Sequence, residues 1–270
     1  MSDWGKAIIN NIDWGKSATN SINWGDIYAN SLSGDTLLLQ SGFANTHSLL
    51  LDGVDANAKT DSNYTVLDGA QKFTISMWVK PSATETKILL STIRNGTQNN
   101  FQVCIATHNG SVRLFTETTG NYIYTATGEL SNNVWSNIIV ACDLSKGNAL
   151  LRGDIYINGI LKTIARNLKT SLLNSSSKLT FAVNENGKYS EFTGSMDEVA
   201  IWNGTDLRSD IATIYNGGVP SDLSQYSTPP TNWWRMGETD GGTGTVLTDA
   251  IGSANATLFN LAEYSTDVPT

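Results

Sequence analysis

Cysteine and histidine are almost missing from this 270-residue chain, which carries two of each. Two cysteines cannot build a disulfide framework, and no Cys/His set stands at zinc spacing. Cys104 and Cys142 each sit inside an apolar, strand-like run and read as buried free thiols, with a single bridge between adjacent strands as the alternative. Charge is sparse at 16%, and 25 acidic residues against 17 Lys and Arg leave a net −8. With no basic cluster, the phosphate backbone of a nucleic acid is repelled, so no nucleic-acid partner is expected. No apolar run is long enough to cross a bilayer as a helix, which excludes insertion by that route. The opening Met1-Ser-Asp-Trp-Gly lacks the basic start and apolar centre of a secretory signal, so the expectation is a chain made in a cytoplasm. Gly241-Gly242-Thr243-Gly244 is not followed by Lys-Ser/Thr, which removes a phosphate-binding loop.

What fills the sequence instead is Asn, Ser, Thr and Gly between short apolar runs. Strand-like segments recur with turn signals such as Asn95-Gly96, His108-Asn-Gly110 and Asn158-Gly159 between them, which describes an all-β sandwich or jelly roll. In Phe192–Trp202, Met196, Glu198, Ala200 and Trp202 share one parity and Asp197, Val199 and Ile201 the other. Apolar residues occur in both sets, so this strand is expected to be covered on both faces. Leu207, Ile211, Ile214 and Tyr215 then recur at helical spacing, with Ser209 as N-cap and Gly217-Gly218 as the stop.

Phe192-x-Gly-x-x-Asp-Glu-Val-x-Ile-Trp-Asn203, followed by Ile211-x-x-x-Tyr-Asn-x-Gly218, resembles the closing segment of laminin-G-like, concanavalin-A-like jelly-roll domains. Ser48-Leu-Leu-Leu-Asp52-Gly53, Phe73-Thr-Ile-Ser-Met-Trp78-Val-Lys-Pro81 and Asp154-Ile-Tyr-Ile-Asn158-Gly159 resemble three earlier stretches of such domains, in the family's order. The resemblance implies an antiparallel two-sheet jelly roll over residues 37–227. It also implies a calcium site near the Asp-Gly turn and the Asp-Glu strand, with Asp52, Asp55 and Asp197 as ligands. The competing reading is that Asp52 caps its own turn and Asp197 accepts backbone N–H bonds.

Before that domain, residues 1–36 form an arm with a ten-residue repeat. Trp4-Gly5, Trp14-Gly15 and Trp24-Gly25 are evenly spaced, with Ile12 and Ile22 two residues ahead of the later tryptophans. Ile and Trp at i and i+2 share one side of an extended chain, and so short a segment cannot bury three tryptophans alone. The arm therefore packs on its own domain or anchors on another chain, where Trp contributes strongly. Tandem Asn-x-Ile-x-Trp-Gly repeats before such a domain resemble proteins of tailed phages, especially marine ones. That resemblance implies a virion structural protein, a head decoration, fibre or tail component at the virion surface. Its partners would be other virion proteins and copies of itself, most simply in a trimer. The alternative is an adhesin binding host glycan, aided by calcium. After the domain, the tail 228–270 carries Trp233-Trp-Arg-Met-Gly-Glu238 and Asp249-x-x-Gly252-x-x-Asn255-x-x-Leu258, a pattern that opens such domains elsewhere. It either completes the same sandwich or is lent to a neighbour.

For glycan binding, Tyr122, Tyr124 and Trp202 are the candidate stacking rings, while Trp78 and Trp135 read as core. Catalysis is not expected. Strand alternation sends Asp197 and Glu198 to opposite sides, which rules them out as a glycosidase pair, and His47 and His108 form no triad with a serine.

Overall fold

The computed structural model describes residues 27–28, 40–41, 43–93, 100–118, 120–183 and 191–270. The chain divides into two compact units, Met1–Ala44 and Asn45–Thr270. In the first, β1 (Ile27–Tyr28) pairs antiparallel with β2 (Gln40–Ser41). Trp4, Ile12, Trp14, Ile22 and Trp24 lie outside the described residues, as does the Asn95-Gly96 turn.

The second unit opens with β3 (Ser48–Asp52), β4 (Asn57–Thr60), β5 (Lys72–Pro81), β6 (Lys87–Ile93), β7 (Asn100–His108) and β8 (Ser111–Thr118). It continues with β9 (Tyr122–Thr125), β10 (Ser136–Asp143), β11 (Gly153–Ile157), β12 (Ile160–Leu161), β13 (Thr163–Arg166), β14 (Thr180–Phe181) and β15 (Thr193–Asn203). After α1 (Ile211–Tyr215) come β16 (Asn232–Trp234), β17 (Val246–Leu247), β18 (Ala256–Phe259) and β19 (Glu263–Ser265). One sheet runs β12-β11-β10-β5-β15-β3-β19, with β16 also on β15; the other runs β13-β9-β8-β7-β6-β14-β4-β18-β17. All the ladders between these strands are antiparallel. This is the two-sheet jelly roll expected from the short, turn-punctuated strands.

Strand β5 shows why the sandwich has three layers. Phe73, Ile75, Met77 and Val79 point into the core between the sheets. Thr74, Ser76 and Trp78 are buried as well, on the opposite face. There the Thr74 hydroxyl donates to the Thr205 carbonyl and accepts from Leu207 N–H, and Trp78 stacks on Tyr215 of α1 at 6.0 Å between ring centroids. The expected helix is present, but it starts one residue later than read, with Asp210 rather than Ser209 at the N-cap. It stops at Asn216, whose left-handed φ of 49° ends the helical ladder.

The tail belongs to this same body. β16 pairs with β15, β18 with β4 and β19 with β3, so residues beyond 228 complete both sheets within one chain. Trp234 is fully buried against Phe181 (5.2 Å) and Tyr64 (6.3 Å), and its indole N–H donates to the Ala254 carbonyl. Cys104 and Cys142 are free and buried, on strands of different sheets, and burial pushes both thiols well above their ordinary range.

Candidate functional site

On the outer face of the nine-stranded sheet, β7, β8 and β9 stack two rows of side chains across the strands. Cys104, Phe115 and Tyr122 are register partners in one row, and Ala106, Arg113 and Tyr124 in the next. Their neighbours Val103, Ile105, Leu114 and Ile123 point the other way, into the core. Because partners in a ladder share a face, the small Cys104 and Ala106 lie among the taller Ile88, Phe101, Phe115 and Tyr122. The result is a cavity of about 250 Å³, also lined by Thr86, Thr107, His108 and Arg113.

Aromatic rings run along one wall. Phe101 to Phe115 is 6.2 Å, Phe115 to Tyr122 5.6 Å, and Tyr122 to Tyr124 5.5 Å with the last pair stacked. Phe115, Tyr122 and Tyr124 are half-buried, so their ring faces are held by neighbours yet reachable. At the far end, His108 Nδ1 lies 2.6 Å from the Thr86 hydroxyl. Arg113 is half-buried, and its Nε is sealed from solvent with no hydrogen-bond partner. Apolar stacking planes beside a few convergent polar groups suit a small, partly polar ligand.

The acidic motif lies elsewhere, on the outer face of the other sheet, and its geometry departs from simple alternation. The register of β15 on β5 slips between Asp197 and Ala200, and Glu198 adopts φ 49°: a β-bulge. Met196 enters the core and so do Val199 and Ile201, of opposite parity, because the extra residue resets the pleat. Asp197 is in register with Trp78, and Glu198 meets Ser76, Trp78 and Ile214 in one crevice, so both carboxylates belong to the same face. The expectation that they point to opposite sides is therefore wrong; alternation fails wherever two residues oppose one.

The bulge occupies the gap where β3 stops pairing with β15, at Met196, and β16 starts, at Val199. The segments flanking that gap hold the carboxylates. Glu198 accepts from Trp233 Nε1 at 2.6 Å and Arg235 Nε at 3.1 Å, and Asp197 accepts from Asn45 Nδ2 at 2.9 Å and Glu198 N–H at 2.8 Å. Nearby, Glu238 accepts the backbone N–H groups of Thr46 and His47. Burial, then the adjoining Glu198 charge, holds the Asp197 carboxyl well above the usual range; burial pushes Glu198 up to about 7 against the opposing pull of Arg235.

The calcium ligands implied by resemblance do not assemble. Asp52 Oδ1 accepts the N–H groups of Val54, Asp55 and Ala56, which caps its turn and lowers its pKa. Asp52 faces Thr193 across the ladder, four residues from Asp197, a separation of about 13 Å along an extended strand. Asp55 is exposed on that turn, and among the described residues no three His, Cys, Asp or Glu side chains could hold a metal ion. Of the proposed stacking rings, Tyr122 lines the cleft and Tyr124 stacks on it. Trp202 does not: it is 1% exposed, its indole N–H donates to the Thr228 carbonyl, and the segment after α1 covers it. Trp78 is core-like as expected, whereas Trp135 is half-exposed and donates to Asp267. Phe115 and Arg113 were not singled out from sequence, and His108 was weighed only as a triad member; Arg113-x-Phe115 two positions apart on a strand was the available signal, since it sets both on one face.

A family model described as the concanavalin A-like lectin/glucanases superfamily matches residues 52–212. Among solved structures, the native heptameric SAP-like pentraxin from Limulus polyphemus aligns with a TM-score of 0.54 at 13% identity, covering 79% of this chain and 94% of its own. Domain 4 of AbnA, a GH43 extracellular arabinanase from Geobacillus stearothermophilus in complex with arabinotriose, aligns at 0.47 and 16% identity, over 62% and 76% of the two chains. The CBM40 of the Ruminococcus gnavus IT-sialidase, bound to α2,3 sialyllactose, aligns at 0.45 and 14%, over 62% and 95%. At 13% identity the likeness to the pentraxin is one of fold. No curated protein matches the chain.

Proposed function

The chain belongs to the laminin G-like family of the concanavalin A-like lectin/glucanases superfamily, and from that premise we propose that it is a glycan-binding module whose ligand lies in the cleft on β7, β8 and β9. Fold alone does not carry this. The supporting observation is the half-buried ladder Phe115–Tyr122–Tyr124 beside a cavity of about 250 Å³ with Arg113, His108 and Thr86 on its rim. A pyranose offers an apolar C–H face to an aromatic ring and hydroxyls at its edge, and the cleft supplies a partner for each. Its volume, just under the ~300–1,000 Å³ of drug-sized pockets, suits one or two sugar units. Calorimetry against a polysaccharide panel tests the reading. Tyr122→Ala and Tyr124→Ala are each expected to weaken binding about tenfold, the worth of one good aromatic contact. Unchanged affinity in both variants would overturn it.

Binding without turnover completes this proposal. Among the described residues that line the cleft none is a carboxylate, whereas glycoside hydrolysis generally uses two. Asp197 and Glu198 share a face but are committed to Asn45, Trp233 and Arg235. Release of reducing ends from a bound polysaccharide would contradict this.

We also propose a setting for the module: a virion, to which the N-terminal Trp-Gly arm fastens it. This rests on the spacing of Trp4, Trp14 and Trp24 and on the resemblance of the repeats to those of phage proteins. Mass spectrometry of purified particles decides it. Hundreds of copies indicate a capsid decoration, a few to a few dozen a tail or vertex fibre, and absence removes the virion role while leaving the cleft reading untouched.

A further inference from the structure

Every other described arginine is engaged. Arg166 and Arg208 pair with Asp154, Arg208 also with Asp206, Arg235 with Glu198, and Arg152 donates to the carbonyls of Lys146 and Leu168. Arg113 has no such partner among the described residues, although the chain holds 25 acidic residues against 17 basic ones. Its register neighbours are Ala106 and Tyr124, neither able to accept its charge, and its Nε is removed from water without a hydrogen bond. A guanidinium half-removed from water with no counter-charge beside it is costly in the free protein, and a ligand that brings an anion to its accessible side recovers part of that cost. The guanidinium fork matches a planar oxyanion bidentately, so the acceptor that suits it best is a carboxylate.

Resting on the glycan reading above, we propose that the cleft selects a sugar bearing a carboxylate, with Arg113 as the group that receives it. Arg113 lies directly beside Tyr124 in register and next to the row of Phe115 and Tyr122. A pyranose laid on the tyrosine wall therefore brings a ring carboxylate to the guanidinium. His108 lines the same cavity, its Nδ1 2.6 Å from the Thr86 hydroxyl; in the tautomer whose Nδ1 accepts that hydroxyl, Nε2 carries the proton and can donate to the ligand.

The test uses the full chain and a matched set of probes: oligogalacturonate, its methyl ester, a neutral galactan and a sulfated galactan. Calorimetry is expected to show the wild-type protein binding oligogalacturonate at least tenfold more tightly than the ester. Arg113→Gln removes that preference, Arg113→Lys keeps part of it, and Tyr124→Ala weakens both ligands alike. Equal affinity for acid and ester overturns the carboxylate assignment and leaves the glycan reading standing, and this comparison needs no variant. Binding of the sulfated polymer alone also overturns it, in favour of another oxyanion. Failure to bind any of the four sinks the assignment, and a wider neutral panel then judges the cleft itself.

Discussion

Gly194 is the residue on which the pairing of β15 with β5 most depends. Its φ is +133°, and a Cβ built on it would lie 2.2 Å from the Lys80 carbonyl oxygen and 2.9 Å from Ser82 N. Both atoms are backbone, so nothing flexible can yield. Gly194→Ala is expected to destabilise the domain by at least the ~1–3 kcal/mol of a strained backbone position. A thermal melt should fall by at least about 2 °C, given ~2–4 °C per kcal/mol for a domain of this size; a drop of less than one degree would contradict the geometry. The same residue lies in the Phe-x-Gly motif that marks the family, which gives that motif a physical reason. Arg113 is the opposite case: its importance comes from what does not approach it, and a sequence cannot display the lack of a neighbour.

Among the elements, β16 joins the two ends of the domain's story. Trp234 fills the core beside Tyr64 and Phe181 while Trp233 and Arg235, on the same three-residue turn of chain, hold Glu198. Trp234→Ala is expected to cost about 3–5 kcal/mol, the usual penalty for deleting a buried aromatic ring, measurable as a lower denaturation midpoint at unchanged slope. The strands were largely legible beforehand, because alternation in Phe73–Val79 and in Tyr122-Ile-Tyr124 fixes which side chains enter the core. Residues whose environment is supplied from far along the chain were not. Trp202 reads as a platform until the segment near Thr228 is seen to cover it. Likewise Glu198 reads as facing away from Asp197 until the bulge is seen, and a bulge is set by the gap between β3 and β16, two strands nearly two hundred residues apart.

At the scale of the molecule, the two kinds of carboxylate give stability a defined pH profile. Asp197 and Glu198 have folded-state values above their ordinary ones, so the native state holds their protons more tightly; their contributions are full below 3.8 and 4.5 respectively, and that of Glu198 is lost as pH rises through about 7. Asp52, Asp143 and Asp267 are lowered, so theirs is present above 3.8 and disappears as pH falls below it. Melting temperature is therefore expected to peak in mildly acidic solution and decline towards both pH 3 and pH 8. Asp197→Asn should flatten the upper limb, since Asn45 carries a buried amide oxygen with no partner that a reoriented amide can offer to the new donor. A melting curve equally steep in the variant would show that another group titrates there.

The return of the tail to β3 has a mechanical consequence. Ser265 is in register with Ser48, and the Ser48 hydroxyl donates to the Asp267 carbonyl, so the entry and exit of the Asn45–Thr270 unit lie side by side. A load drawn between those two points pulls β19 away from β3 like a zipper, one rung at a time and at low force. A load that enters at β3 and leaves through the body of the sandwich does not run across those rungs. The unit thus yields most readily when it is strung between its two ends.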